Sequence, residues 1–208
     1  MSPPSRTEST CTDPRESGIR RLVDEGDLEA AASLFMETYG GEILGFLHLW
    51  LRNQIEAQEV FSEFTEDFWR GLPSFLWKTS IRSWGYTLAR NAACRSRRAS
   101  RRRSVPLTHP SRMLEPANRA HTRTPQYLRT EVKHRMRELR AQLPIDDQSL
   151  LVLRIDKGLS WKELAVIYSG KGEMLSEADT KRWAARLRQR FVTIKEQLRE
   201  LAEAEGLI

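Results

Sequence analysis

The 208 residues carry 34 Lys plus Arg against 28 Asp plus Glu, a formal charge of +6, with 30% charged and 39% hydrophobic residues. That length suits one mid-sized domain or two small ones, with much helix surface facing water. No apolar run approaches the roughly 20 residues of a membrane span, and residues 1–18 lack the apolar core of a secretory signal.

Residues 1–18, rich in Ser, Thr, Pro and charge, read as a disordered tail. Cys11 lies in that tail and Cys94 in a basic run, which argues against a disulfide framework and for a cytoplasmic location. Strand signals are almost absent, and apolar residues recur at spacings of three and four. A first helical zone spans Ile19 to Tyr39, with Asp27 capping its main part and Leu28, Ala31, Leu34 and Phe35 on one side. Gly40 and Gly41 are expected to interrupt it before a second helix from Glu42 to about Arg52. A third runs from about Ile55 to Leu72-Pro73 with the apolar stripe Ala57, Val60, Phe61, Phe64 and Phe68. At helical spacing Glu59, Ser62 and Glu66 point the opposite way, flanked by Gln58 and Glu63. A fourth begins near Ser80 and enters an Arg cluster.

Val105 to Thr124 holds Pro106, Pro110 and Pro116 with few large apolar residues, and reads as an extended linker. Helical pattern resumes at about Pro125 and stops at Leu143-Pro144. Asp146 is placed to cap the next helix, with Leu150, Leu151 and Leu153, which Gly158 closes as a left-handed residue. Ser160-Trp161-Lys162-Glu163 is a capping box opening a short helix that Gly170 ends. Ser176 to Asp179 is a second box-like start, for a long helix to about Glu205 with the stripe Trp183, Leu187, Phe191, Ile194, Leu198 and Leu201. Lys181, Arg182, Gln189 and Thr193 fall on its outer face, with Arg186 and Arg188 at the edges. The expected fold is all-α, with two small helical domains at 19–104 and 125–208 joined by a flexible linker at 105–124.

Charge is distributed unevenly. Between Asp67 and Glu115 there is no acidic residue, while that stretch holds eleven bases and the aromatics Trp69, Phe75, Trp77, Trp84 and Tyr86. Such a block binds a polyanion or forms a solvated arm, and bases out of a duplex stack on aromatic faces. A short helix, a turn and a helix with basic and amide side chains near its start is a helix-turn-helix layout, in which Arg reads guanine and Gln reads adenine. A stand-alone DNA-binding regulator or an RNA-binding protein is compatible with parts of this pattern. No carboxylate cluster has the spacing of a metal site, and His48, His109, His121 and His134 are scattered. A non-enzymatic chain without cofactor or metal is expected.

Three segments together carry a resemblance. Glu59 to Phe64 through Phe68-Trp69-Arg70 resembles the partner-binding helix of the bacterial sigma-70 family. Ile81 to Asn91, followed by bases, resembles that family's promoter-melting helix. Leu139 to Pro144, Leu150 to Arg154 and Gly158 to Ala165 resemble its fourth conserved region. Two units without the other regions match the short extracytoplasmic-function group, over roughly Leu28 to Leu201. The resemblance implies a cytoplasmic, nucleoid-associated initiation factor that binds core RNA polymerase and promoter DNA, with an anti-sigma protein as a candidate partner. It assigns polymerase binding to Gln58, Glu59, Ser62, Glu63 and Glu66, with Trp69 at the border. It assigns the −10 element to Phe75, Trp77, Lys78, Arg82, Trp84, Arg90, Asn91, Arg95 and Arg98, with Phe75, Trp77 and Trp84 holding unstacked bases. The −35 element falls to Lys181, Arg182, Arg186 and Gln189. Ser62 stands where the family usually has Gln, Gly85 where a large apolar residue is usual, and Tyr168 to Glu177 is longer than the usual tight turn.

Overall fold

The computed structural model describes residues 14–103 and 125–207, which are all-α. The expected linker and residues 1–13 of the expected tail lie outside the described residues, as do Cys11, His109 and His121. Residues 14–18 are a correction: they are not tail but the first turn and a half of α1 (Pro14–Glu25). Pro14 has a backbone suited to the first helical position, and Glu16 is buried, accepting the Arg82 N–H at 3.2 Å.

Asp27 caps α2 (Leu28–Phe35) as expected, accepting the Ala30 N–H at 3.0 Å. Gly40 and Gly41 do not break the chain. A π-helical turn, Met36–Gly40, leads directly into α3 (Gly41–Leu51), and both glycines keep right-handed helical angles. A wider turn absorbs an extra residue without ending the helix, and a Cβ at Gly40 would lie 3.6 Å from the Phe61 ring.

Helix α4 (Gln54–Gly71) starts at Asn53, whose side chain accepts the Ile55 and Glu56 N–H groups at 3.0 and 3.3 Å. Its stripe of Ala57, Val60, Phe64 and Phe68 is buried against α3 and α5 (Ile81–Arg103). Phe68 stacks on Phe35 at 4.1 Å between ring centres, which ties α4 to α2.

The C-terminal half comprises α6 (Pro125–Gln142), α7 (Ile145–Leu151), α8 (Trp161–Ser169) and α9 (Glu177–Ala204). Asp146 is not the cap of α7. Pro144 occupies that position without a side-chain bond, and Asp146 sits in the first turn facing Arg90. Gly158 and Gly170 take the expected left-handed angles, with φ of 69° at both. Ser160 and Glu163 form the complete capping box of α8, and Ser176 caps α9.

The two halves are packed together. Helix α8 lies on both α9 and α5, and α7 lies on α3. One buried apolar cluster is continuous from Ile19 and Phe35 through Trp84 and Tyr86 to Leu150, Leu164 and Leu187. At roughly 25 cal/mol per Å² of apolar area, such a shared core favours the closed arrangement.

Candidate functional site

The buried stripe of α4 fixes what the helix shows outward. Gln58, Glu59, Ser62, Glu63 and Glu66 are all exposed on one face. The Ser62 hydroxyl donates to the Gln58 carbonyl at 3.2 Å, and Glu66 pairs with Arg70 at 2.9 Å. Two exposed apolar side chains bracket this acidic face, Ile55 at 69% and Trp69 at 49% of full exposure. Ile55, Ser62 and Trp69 recur every seven residues and lie on one line along the helix.

Helix α5 carries the basic block, and here the geometry departs from the sequence reading. Phe75, Trp77 and Trp84, expected as platforms for unstacked bases, are core residues at 4%, 5% and 9% exposure. Phe75 stacks on Trp84 at 4.7 Å and meets Trp77 edge-on at 4.9 Å, and Trp84 also packs on Phe68 at 5.0 Å. Their faces are already occupied by one another.

Four of the six polar residues assigned to the −10 element are likewise engaged within the chain. Arg82 makes a two-pronged pair with Glu42 at 2.7 and 3.1 Å and donates to the Lys157 carbonyl at 3.2 Å. Burial works to lower the Arg82 guanidinium, but its bond and charge pairing with Glu42 outweigh this and hold it above its ordinary value. Arg90 pairs with Asp146 at 3.3 Å and sits 4.7 Å over the Tyr168 ring. Asn91 donates its side-chain amide to the Gly170 carbonyl at 3.0 Å. Arg95 pairs with Asp67 at 2.5 Å. Lys78 and Arg98 remain exposed.

The partners of this acid-free stretch come from elsewhere in the chain. Asp146, Glu163 and Glu173 all come from the C-terminal half. Glu163 accepts the Ser80 and Ser83 hydroxyls at 3.2 and 3.1 Å, and the Glu173 carboxylate accepts the backbone N–H groups of Leu76 and Lys78 at 2.8 and 2.7 Å. Sequence reasoning missed these carboxylates. The basic block showed that acidic partners were wanted, but nothing local showed which ones reach it.

The connection between α8 and α9 explains the lengthened turn. It passes through a short 3₁₀ turn, Gly172–Met174, with Gly170 and Gly172 at φ of 69° and 55°. Gly172 is buried beside Trp84, and a Cβ there would stand 3.6 Å from the indole. Beyond the turn, Lys181, Arg182, Arg186 and Gln189 are exposed on α9. Among the described residues, Lys181 and Arg182 pair with their own helix, through Glu177 at 2.9 Å and Asp179 at 3.0 Å. The bond to Lys181 holds the Glu177 carboxyl below its usual value. Trp183 and Leu187 turn inward, as the stripe requires. Arg190 pairs with Asp147, and that bond holds its guanidinium above the ordinary value.

Burial pushes the Tyr168 hydroxyl well above its ordinary value, and it bonds to Ser149 at 2.6 Å and to the Asp146 carbonyl at 3.0 Å. It is a structural pin of α7 on α8. Among the described residues no cluster of His, Cys, Asp and Glu is arranged to hold a metal ion, and no helix is long and apolar enough to cross a membrane.

Comparison with known families matches residues 35–103 to the model of sigma-70 region 2. A search of curated proteins found no match. The matched segment runs from the last residue of α2 to the last residue of α5, which covers the acidic face of α4, the Leu72–Ser80 connection and the basic helix. Residues 35–103, about one third of the chain, are similar to sigma-70 region 2.

Proposed function

We propose that this chain is a sigma factor of the extracytoplasmic-function group, which binds core RNA polymerase in the bacterial cytoplasm and directs it to promoters. The region 2 match carries this reading. The α4 face supports it: an acidic patch with apolar ends suits a basic helical partner, and Gln58, Glu59, Ser62, Glu63 and Glu66 form the polymerase contact. The factor brings no catalytic group. It contributes binding free energy that holds the opened strand, offsetting an unstacking cost of a few kcal/mol per base.

Residues on and before α5 contact the −10 element. Lys78 and Arg98 are the exposed cations in place for phosphates, a salt-sensitive contribution. Arg82, Arg90, Asn91 and Arg95 join them once their present partners leave. Phe75, Trp77 and Trp84 then act chiefly by shaping the loop from beneath. The α8–turn–α9 pair acts as the helix-turn-helix of a region 4-like domain, with Lys181, Arg182, Arg186 and Gln189 reading the −35 element. One good bidentate base contact contributes about 1–3 kcal/mol of discrimination. Linking two weak readers raises the effective concentration of each once both sit on polymerase.

The test of the α4 assignment is a pull-down with purified core polymerase. Reversal of Glu59 and Glu63 to Lys is expected to weaken binding at least tenfold while leaving the circular dichroism spectrum unchanged. Wild-type affinity in that double variant would exclude the face.

A further inference from the structure

The connection from α4 to α5 has an unusual backbone. After the 3₁₀ turn Leu72–Ser74, Phe75 is extended, with φ of −69° and ψ of 124°, and Trp77 takes a φ of 59°. A bulky aromatic rarely adopts that left-handed conformation. Here the Trp77 ring is buried against Phe75, with the Arg20 guanidinium 5.4 Å from its centre, so packing holds the backbone in place. The outcome is that the N–H groups on either side of Trp77, those of Leu76 and Lys78, converge on the two oxygens of one carboxylate at 2.8 and 2.7 Å. Successive backbone N–H groups gathered around a left-handed residue form an anion-binding concavity, and charge-assisted bonds of this length are the strong ones.

The carboxylate is that of Glu173, delivered by the lengthened turn between α8 and α9. The turn is shaped for that delivery. Gly170 gives its carbonyl to Asn91, and buried Gly172 lies against Trp84. Asp146 on Arg90 and Glu163 on Ser80 and Ser83 reach the same segment, so three carboxylates of the C-terminal half bond to residues 76–90, which have no acidic residue of their own.

We propose that the Leu76–Trp77–Lys78 backbone is an anion site for a phosphodiester of single-stranded DNA, and that Glu173 is its internal competitor, which closes the C-terminal half over the site until the strand displaces it. The choice of DNA as the polyanion rests on the sigma-factor reading. The concavity recognises an oxyanion and no base, so the site positions the strand and leaves sequence discrimination to other groups. It also gives the lengthened turn a purpose: the segment that leads into the −35 helix masks the −10 loop.

Binding is read by fluorescence anisotropy on the full-length protein without polymerase, using a labelled random-sequence single-stranded DNA 20-mer. Glu173→Ala is expected to bind about tenfold more tightly than wild type, and Met174→Ala, altered in the same turn at a fully exposed side chain, is expected to match wild type. Leu76→Pro removes one of the two donors, and extended Phe75 tolerates a following proline. Adding it to Glu173→Ala is expected to return affinity to near the wild-type value. The backbone amide resonances of Leu76 and Lys78 provide a readout that does not depend on the proline variant folding. In Glu173→Ala they should shift on addition of the DNA, and to a lesser extent with inorganic phosphate. Unchanged DNA affinity in Glu173→Ala, or tighter binding with both amides unmoved, would overturn the proposal. Polymerase-dependent transcription by the wild-type protein is scored separately, so an unchanged Glu173→Ala affinity beside active transcription rejects the anion site and leaves the sigma reading intact.

Discussion

Trp84 and Gly85 show how neighbouring residues on one helix serve packing first. The Trp84 indole is wedged between Phe68 and Phe75, and a Cβ on Gly71 would come within 2.8 Å of it. Gly85 faces the other way, where a Cβ would stand 2.6 Å from the Phe35 ring and 3.3 Å from Ile43. The large side chain usual at that position in the family would collide there, and the Phe35 ring fills the space instead. Trp84→Ala is expected to cost about 3–5 kcal/mol of stability, the range for emptying a large aromatic site, as read by urea unfolding. A loss below about 1 kcal/mol would mean the indole is not core and would restore it as a platform for bases. From sequence, an aromatic in a basic run looks like a stacking group, and only the positions of Phe68, Phe75 and Gly71 reveal that its faces are taken.

Helix ends were legible because their chemistry is local. Asp27, Ser160 and Ser176 each sit within three residues of the N–H they accept, and Gly158 and Gly170 take the angles that favour glycine. Gly40 and Gly41 keep helical angles through a π-helical turn, so two glycines alone do not end the helix. Asp146 was misread for the opposite reason: it faces Arg90, 56 positions away, which no local spacing encodes. Glu163 belongs to both kinds. It completes the capping box by accepting the Ser160 N–H at 2.7 Å, and it also holds Ser80 and Ser83 on α5. Ser160→Ala removes only the cap and is expected to cost about 1 kcal/mol. Glu163→Ala should cost about 1–2 kcal/mol more, since a hydrogen bond to a charged group contributes about 1.5–3 kcal/mol. Equal losses in urea unfolding would show that the cross-helix bonds contribute nothing.

At the scale of the whole molecule, the all-α class and the two helical halves follow from the apolar spacing, while their closure on each other does not. Closure rests on pairs such as Arg90–Asp146, on the Glu173 and Glu163 bonds and on the Leu150–Tyr86 core, all separated by more than fifty residues of sequence. The acid-free block was readable as a surface for a polyanion, and the same surface is occupied here by the chain's own acids. The exposed faces of α4 and α9 were therefore legible in the sequence, and the arrangement on α5 was not. In the proposed function, promoter engagement requires the two halves to open. Arg90→Glu places a like charge against Asp146, and small-angle X-ray scattering of this variant at low salt is expected to give a larger radius of gyration than wild type. An identical scattering curve would show that the apolar contacts hold the halves together unaided.

The proposed function depends on the chain acting with polymerase, and run-off transcription tests that most directly. Purified bacterial core polymerase is supplied with a pool of upstream fragments from the source genome, with and without the protein. The account predicts discrete transcripts that appear only when the protein is present, preceded by two shared sequence elements at a fixed spacing. Absence of both polymerase binding and protein-dependent transcripts would contradict it.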